Sequence, residues 1–236
     1  MVYFMKANSV NNVTKHLWNR WIASRGYHVV NDADTLDNHH LEGYWDFSYH
    51  ILNPVIKYVT PISVVLEIGC GFGRLTAAAA RFFKRVCAID ISRVAVETCL
   101  EYLQENGISN VDVRECDGST IPFDDGHFDL CYSFLVFQHL PSREMVGSYV
   151  KEIHRVLKPG GIARIQLRRG SLFGGKDYKQ IDESWTMDQG CTWTKWQARK
   201  LFVTSGFEVV SIGGGTRKAW QTEISRRQLW VTAQKR

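Results

Sequence analysis

Three glycines alternate at Gly69, Gly71 and Gly73, directly behind an apolar, largely β-branched run from Ile62 to Ile68. Without Cβ atoms a backbone can turn tightly there and come close to a ligand. Leu75 to Ala80, followed by Phe82 and Phe83, then supplies strong helix formers. A helix opening straight from such a turn presents free N–H groups to a polar or anionic ligand. A second short buried run, Arg85 to Asp90, ends on a carboxylate. Asp90 follows Gly69 by about 20 positions, the separation at which an acid accepts two ribose hydroxyls. These residues predict a strand–turn–helix site for a nucleotide-like cofactor.

Three further residues narrow the cofactor. A nicotinamide fingerprint asks for glycine or alanine at position 74, where this chain has Arg74. Glu67, two residues before the first glycine, would repel a pyrophosphate but can hold a cationic amine. Asp117, behind a third strand, offers an acceptor to an exocyclic adenine amine. A ligand with an ammonium, a sulfonium and an adenosine but no phosphate is S-adenosylmethionine, with S-adenosylhomocysteine as its product.

The elements that would position these residues alternate along the chain. After Asp90, Ser92 caps a helix carrying Val94, Val96, Leu100 and Leu103, and Asn106-Gly107 ends it. Strands follow at Val111 to Cys116 and Phe128 to Phe134, then a helix from Ser142 to Leu157. Lys158-Pro159-Gly160-Gly161 is read as stopping that helix and turning into a fifth strand, Ile162 to Leu167. Thr194 and Gln197 have capping-box spacing for a further helix, and strands at Phe207 to Ile212 and Gln228 to Ala233 close the chain. Alternating strand and helix predicts right-handed crossovers and an α/β, doubly wound, mostly parallel sheet.

Leu66-Glu67-Ile68-Gly69-Cys70-Gly71-Phe72-Gly73, Ala88-Ile89-Asp90, Asp117-Gly118, Phe128-Asp129-Leu130 and Leu157-Lys158-Pro159-Gly160-Gly161 occur in this order. Together they resemble the class I S-adenosylmethionine-dependent methyltransferases over roughly residues 60 to 235. Tyr132 to His139 is similar to a subgroup acting on small molecules. The resemblance implies a Rossmann-like methyltransferase fold of seven strands, the last antiparallel. It implies that Glu67 and the backbone of Gly69, Gly71 and Gly73 hold the methionine part, and that Asp90 binds the ribose with Ile91 against the adenine. Asp117 and the backbone of Gly118 would read the adenine edge, and Ser133 and Phe134 would line the wall near the sulfonium. It also places His139 among residues facing the transferred methyl. A histidine there suits general-base work on a hydroxyl acceptor, with capping or packing as the plain alternative.

The acceptor pocket is read from aromatic residues outside the motifs. Residues 1–60 form an N-terminal helical arm, with a helix from Thr14 to Ser24, and residues 61–236 form the cofactor-binding domain. Residues 171–193 read as a cap insertion after the fifth strand. Trp18, Trp21, Tyr44, Trp45, Trp185 and Trp193 are the candidate pocket walls, suited to a flat or hydrophobic acceptor. Arg168, Arg169, Lys176 and Lys179 could hold an anionic group, though ordinary solvated charge accounts for them.

Composition sets outer bounds. The 236 residues are 44% hydrophobic, enough for a core without disulfides or metal, and the net charge of +5 is only mildly basic. No basic stripe or added domain points to nucleic acid, so the expected partner is a small molecule. The six cysteines include no C-x-x-C pair and sit mostly in apolar runs, as reduced buried thiols do. His39-His40 lacks further ligands at metal spacing, so no metal is expected. No apolar stretch approaches the ~20 residues of a membrane span, and no signal-peptide pattern opens the chain, which predicts a cytoplasmic protein. Two other functions fit less well: a non-catalytic S-adenosylmethionine-binding interaction module and a nicotinamide-linked oxidoreductase. RNA methylation is a further, weaker reading.

Overall fold

The computed structural model describes residues 13–20, 22, 36–171, 176–178, 189–214 and 227–236. Its strands are β1 (Val64–Ile68), β2 (Arg85–Asp90), β3 (Val111–Glu115), β4 (Phe128–Ser133), β5 (Leu157–Arg168), β6 (Phe207–Gly213) and β7 (Gln228–Lys235). Its helices are α1 (residues 13–20), α2 (Leu36–Asp46), α3 (Asn53–Val55), α4 (Arg74–Ala79), α5 (Arg93–Glu105), α6 (Arg143–Val156) and α7 (Lys195–Thr204). The strands form one sheet in the order β3-β2-β1-β4-β5-β7-β6. β1 pairs in parallel with β2 on one side and β4 on the other, and β7 runs antiparallel to both neighbours. This is the Rossmann-like methyltransferase sheet the motifs implied.

Local chemistry sets the element ends. Ser92 and Ser142 accept the N–H groups of Ala95 and Met145 and so start α5 and α6. Thr194 and Gln197 exchange side-chain and backbone bonds of 3.2 and 3.0 Å in a complete capping box at α7. From β1 the chain winds outward through β2 and β3, then returns to place β4 on the other flank of β1. That reversal opens a crevice at the carboxyl ends of β1 and β4, where open α/β sheets bind ligands.

Side-chain alternation divides the sheet into two faces. Leu66, Ile68, Cys131, Ala163 and Ile165 pack with Val150, Ile153 and Phe202 under α6 and α7. Val65, Leu130, Tyr132 and Trp230 pack with Phe47, Ile51, Leu75 and Phe83 under α2 and α4. All six cysteines are free and buried.

Three segments differ from the sequence reading. Helical structure on the N-terminal side runs unbroken from α2 through a π-helical stretch (Phe47–Leu52), α3 and a 3-10 turn (Ile56–Tyr58), beginning at Leu36, whereas the sequence reads as a helix there only over Ile51 to Tyr58. Lys158 to Gly161 do not precede the fifth strand but lie within β5, as an irregular stretch where Phe128 pairs with Leu157 and Leu130 already pairs with Ile162. β4 stops at Ser133, because Leu135 takes a left-handed φ of 60°. The expected end of the first helix at Ser24 lies outside the described residues, as do most of the 171–193 insertion and residues 215–226.

Candidate active site

A cavity opens at the crevice between β1 and β4. Its walls surround about 1040 Å³ of space, mouth included, which suits a nucleoside-sized ligand. Glu67, Gly69, Gly71, Asp90, Ile91, Gly118 and Phe134 line it, bringing together most of the residues singled out for the cofactor. Gly69 has a φ of +81°, and a Cβ there would meet Val136 Cγ2 at 2.2 Å, so the glycine turn packs directly on the loop after β4. Gly73 faces away from the cavity. Its own Cβ would meet Cys99 Sγ at 2.7 Å, so this glycine serves the close approach of α5.

Glu67 is the unusual group. Only 3% exposed, it accepts hydrogen bonds through Oε2 from Thr76 Oγ1 (2.6 Å) and the Tyr132 hydroxyl (3.2 Å). Burial pushes its carboxyl up to about 8, against the lowering effect of those two bonds and of the Arg74 charge. A carboxyl held mostly neutral beside a cavity becomes a carboxylate when a cation docks against it. Asp90 is placed differently. Its Oδ2 accepts the Gly71 N–H (2.9 Å) and its Oδ1 the Ser92 N–H (2.8 Å), locking the glycine turn to the end of β2. Burial raises its carboxyl, and those backbone bonds pull it back. Each oxygen keeps a lone pair for a ligand hydroxyl.

Arg74 was a residue the sequence offered only as an argument against nicotinamide. Here it is buried in the cavity wall, its Nη1 paired with Asp46 Oδ2 and its guanidinium 5.6 Å from the Phe134 ring. Its place at the first turn of α4 was the available signal. Beside Glu67 it gives the cavity a cation as well as an acid.

Other expected residues lie elsewhere. Asp117 is exposed and outside the cavity lining, because its Oδ1 is taken by the N–H groups of Ser119 and Thr120. Burial would raise its carboxyl, but those backbone bonds outweigh it and hold it low. Ser133 is fully buried and donates to the Ile68 carbonyl (2.8 Å), tying β4 to β1 behind the wall rather than lining it. Trp193 is a core residue, 4% exposed, packed within the α6–α7 cluster and 5.5 Å from the Arg143 guanidinium. Tyr44 and Trp45 point outward from α2: His39, Gly43 and Phe47 turn inward at helical spacing, which leaves Trp45 68% exposed. Trp21 and Trp185 lie outside the described residues.

Trp18, among the candidate aromatic residues, lines the cavity. Thr14, Trp18 and Ile22, spaced four apart, lay one stripe of the N-terminal helix across the cavity. That helix is anchored by the ion pair of Lys15 with Glu115 and by the Ser92 hydroxyl donating to Asn19 Oδ1 (2.6 Å). Trp18 meets the His139 ring edge-on at 5.5 Å. His139 ends a 3-10 turn (Phe137–His139) one ring back from the cavity, whose nearer wall is Leu135, Val136 and Leu140. Leu135 pays for its left-handed backbone with about 1 kcal/mol or more of strain, of the kind stored at functional sites. Among the described residues no cluster of His, Cys, Asp and Glu is arranged for a metal ion, and no helix is long and apolar enough to cross a membrane.

Comparison with known proteins follows the same outline. Residues 66–165, from the glycine strand to β5, match a family described as a methyltransferase domain. The chain is 31% identical over 112 residues to a sarcosine/dimethylglycine N-methyltransferase of Halorhodospira halochloris, covering 47% of this chain and 39% of that protein. The magnesium protoporphyrin IX methyltransferase of Synechocystis PCC 6803 shares its fold with a TM-score of 0.70 at 14% identity, over 95% of this chain and 99% of that one. The 1,6-didemethyltoxoflavin-N1-methyltransferase of Burkholderia thailandensis does so at 0.67 and 21%, over 100% and 92%. The chain spans well under two thirds of the length of the curated relatives it matches. Sheet order, glycine turn and domain match agree: residues 66–165 match the methyltransferase-domain family, within a fold shared with the S-adenosylmethionine-dependent methyltransferases.

Proposed function

We propose that this protein transfers a methyl group from S-adenosylmethionine to a small-molecule acceptor, by in-line displacement at the sulfonium. The observation that carries the reading is Glu67, a buried carboxyl lifted to about 8 in the wall beneath the glycine turn. A diphosphate cofactor would only hold it neutral; an α-ammonium supplies the cation against which it ionises. Arg74 beside it complements the carboxylate of the same amino-acid part. Asp90 holds the ribose hydroxyls, Ile91 and the Gly118 backbone flank the adenine, and Asp117 stays at the rim. When bound, the cofactor supplies a methyl already activated on sulfur.

The protein then has to align the acceptor and exclude water. Trp18 and Ile22 close one side, and Leu135, Val136 and Leu140 the other. In this reading residues 1–60 act as a lid on the catalytic body 61–236, and the 171–193 segment completes the acceptor side. Relatives named for small-molecule acceptors support that class. With a hydroxyl acceptor, His139 takes the proton at its ring nitrogen, with Trp18 edge-on against that ring. Calorimetric titration with S-adenosylmethionine, S-adenosylhomocysteine and NAD tests the cofactor. Micromolar binding of the first two alone is the expected result, and binding of NAD alone, or of none, overturns it.

A further inference from the structure

Behind the His139 turn lies a chain of amide hydrogen bonds that no cofactor role explains. Gln166 is fully buried on β5, on the same sheet face as Glu67. Its Oε1 accepts the N–H of the left-handed Leu135 (2.9 Å). Its Nε2 donates to the Leu167 carbonyl (2.9 Å) and to Gln138 Oε1 (3.2 Å). Gln138 Nε2 in turn stands 3.0 Å from His139 Nε2.

The direction of this chain is fixed at both ends of Gln166. A backbone N–H can only donate, and a backbone carbonyl can only accept, so the Gln166 amide has one orientation. That orientation sets Gln138, whose oxygen must face Gln166 and whose NH₂ must face the imidazole. His139 Nε2 therefore accepts, and the ring proton sits on Nδ1. Gly190 holds the turn from outside: a Cβ there would lie 1.7 Å from the Gln138 carbonyl oxygen, so nothing larger fits against this peptide.

We propose that Gln166 and Gln138 are positioning residues, a directional amide relay that fixes the tautomer of His139 and keeps its Nε2 lone pair free of a proton. The relay reads the backbone of Leu135 in the cavity wall and delivers that information to the ring. An acceptor hydroxyl that displaces the Gln138 amide then meets a nitrogen ready to take its proton. This last consequence rests on the proposed role of His139; the tautomer does not.

The test is long-range ¹H–¹⁵N correlation of the histidine rings in the full chain without cofactor or acceptor, with His139 assigned by loss of its signals in His139→Gln. The natural protein is expected to show a neutral ring protonated on Nδ1. In Gln166→Glu, read at a pH high enough to ionise the new carboxyl, the carboxylate still accepts the Leu135 N–H but cannot donate to Gln138. The Gln138 amide turns over, and His139 moves to the Nε2-protonated form. Gln138→Glu, at a half-buried site, makes the same switch with Gln166 intact and decides the matter if the buried variant does not fold. An Nε2-protonated ring in the natural protein, or one tautomer in all three, overturns the relay. Because the measurement uses no cofactor, its failure is separable from a failure of the methyl-transfer reading.

Discussion

The two faces of the sheet are built from the same strands and differ in what they bury. Under α6 and α7 the strands contribute hydrocarbon and thiols, from Leu66 and Ile68 through Ala163 and Val231. Under α2 and α4 the same strands contribute Glu67, Tyr132, Arg164, Gln166, Gln228 and Thr232, all buried. Each of these finds a directed partner: Arg164 donates to the His50 carbonyl (3.0 Å) and Thr232 Oγ1 (2.9 Å) and lies 4.3 Å from the Trp230 ring. Burial lowers that guanidinium to about 10. One face holds the fold by packing. The other carries buried polar groups, each held by a directed hydrogen bond, and through Glu67 it reaches the cavity.

The contrast breaks most visibly through stability. Phe202 is fully buried on the α6–α7 face. Phe202→Ala is expected to destabilise by about 3–5 kcal/mol in urea unfolding, through lost transfer energy and a cavity. The fraction that remains folded should bind S-adenosylmethionine as before. A matching loss of cofactor affinity would mean the two faces are not separate.

The opposite sign is expected on the other face. Glu67 ionises near 4.5 in the unfolded chain and at about 8 in the folded, empty protein. Folding therefore takes up a proton between those values, and stability falls as pH rises through that window. Glu67→Gln removes the effect, so without cofactor the variant should be more stable at pH 7 by about 3 kcal/mol, with the gain fading toward pH 4.5. Cofactor binding should weaken in the same variant. Binding to the natural protein should also release a proton, seen by calorimetry in buffers of different ionisation heat, and Glu67→Gln should abolish the release.

Arg74 sharpens the comparison further. It lowers the Glu67 carboxyl and pairs with Asp46, whose side chain is 32% exposed and can turn to water. Arg74→Gln is expected to weaken S-adenosylmethionine roughly tenfold, the loss of one charge-assisted contact at 1.4 kcal/mol per decade. Stability should change little. Equal loss of affinity for adenosine alone would place Arg74 outside the amino-acid end of the site.

Much of this division was legible in the sequence, for a definite reason. The glycine turn, Asp90, the Ser92 cap and the Thr194–Gln197 box are short-range patterns whose physics is complete within a few residues. The roles of Glu67 and Arg74 were half visible, since type and position suggested charge but not burial. The Gln166–Gln138–His139 chain was invisible: it joins positions 28 apart through side-chain amides, and no local spacing announces it. Asp117 and Ser133 sit off the cavity lining because each has a partner nearby, the turn N–H groups in one case and the Ile68 carbonyl in the other.

The aromatic residues show the limit most clearly, and Trp45 supplies the smallest effect to be measured. Sequence offered six walls for the acceptor, because tryptophan suits a pocket, a core and an outer surface alike. What separates them is helical phase. On α1 a spacing of four carries Thr14, Trp18 and Ile22 onto the cavity, whereas on α2 the inward phase belongs to His39, Gly43 and Phe47 and throws Trp45 out. Trp45→Ser should therefore change stability by less than about 0.5 kcal/mol and leave cofactor affinity within error, while Trp18→Ala, one helix away, opens the cavity and loosens the edge contact with His139. A Trp45→Ser variant that loses cofactor as Trp18→Ala does would show that α2 turns its outer face to the ligand.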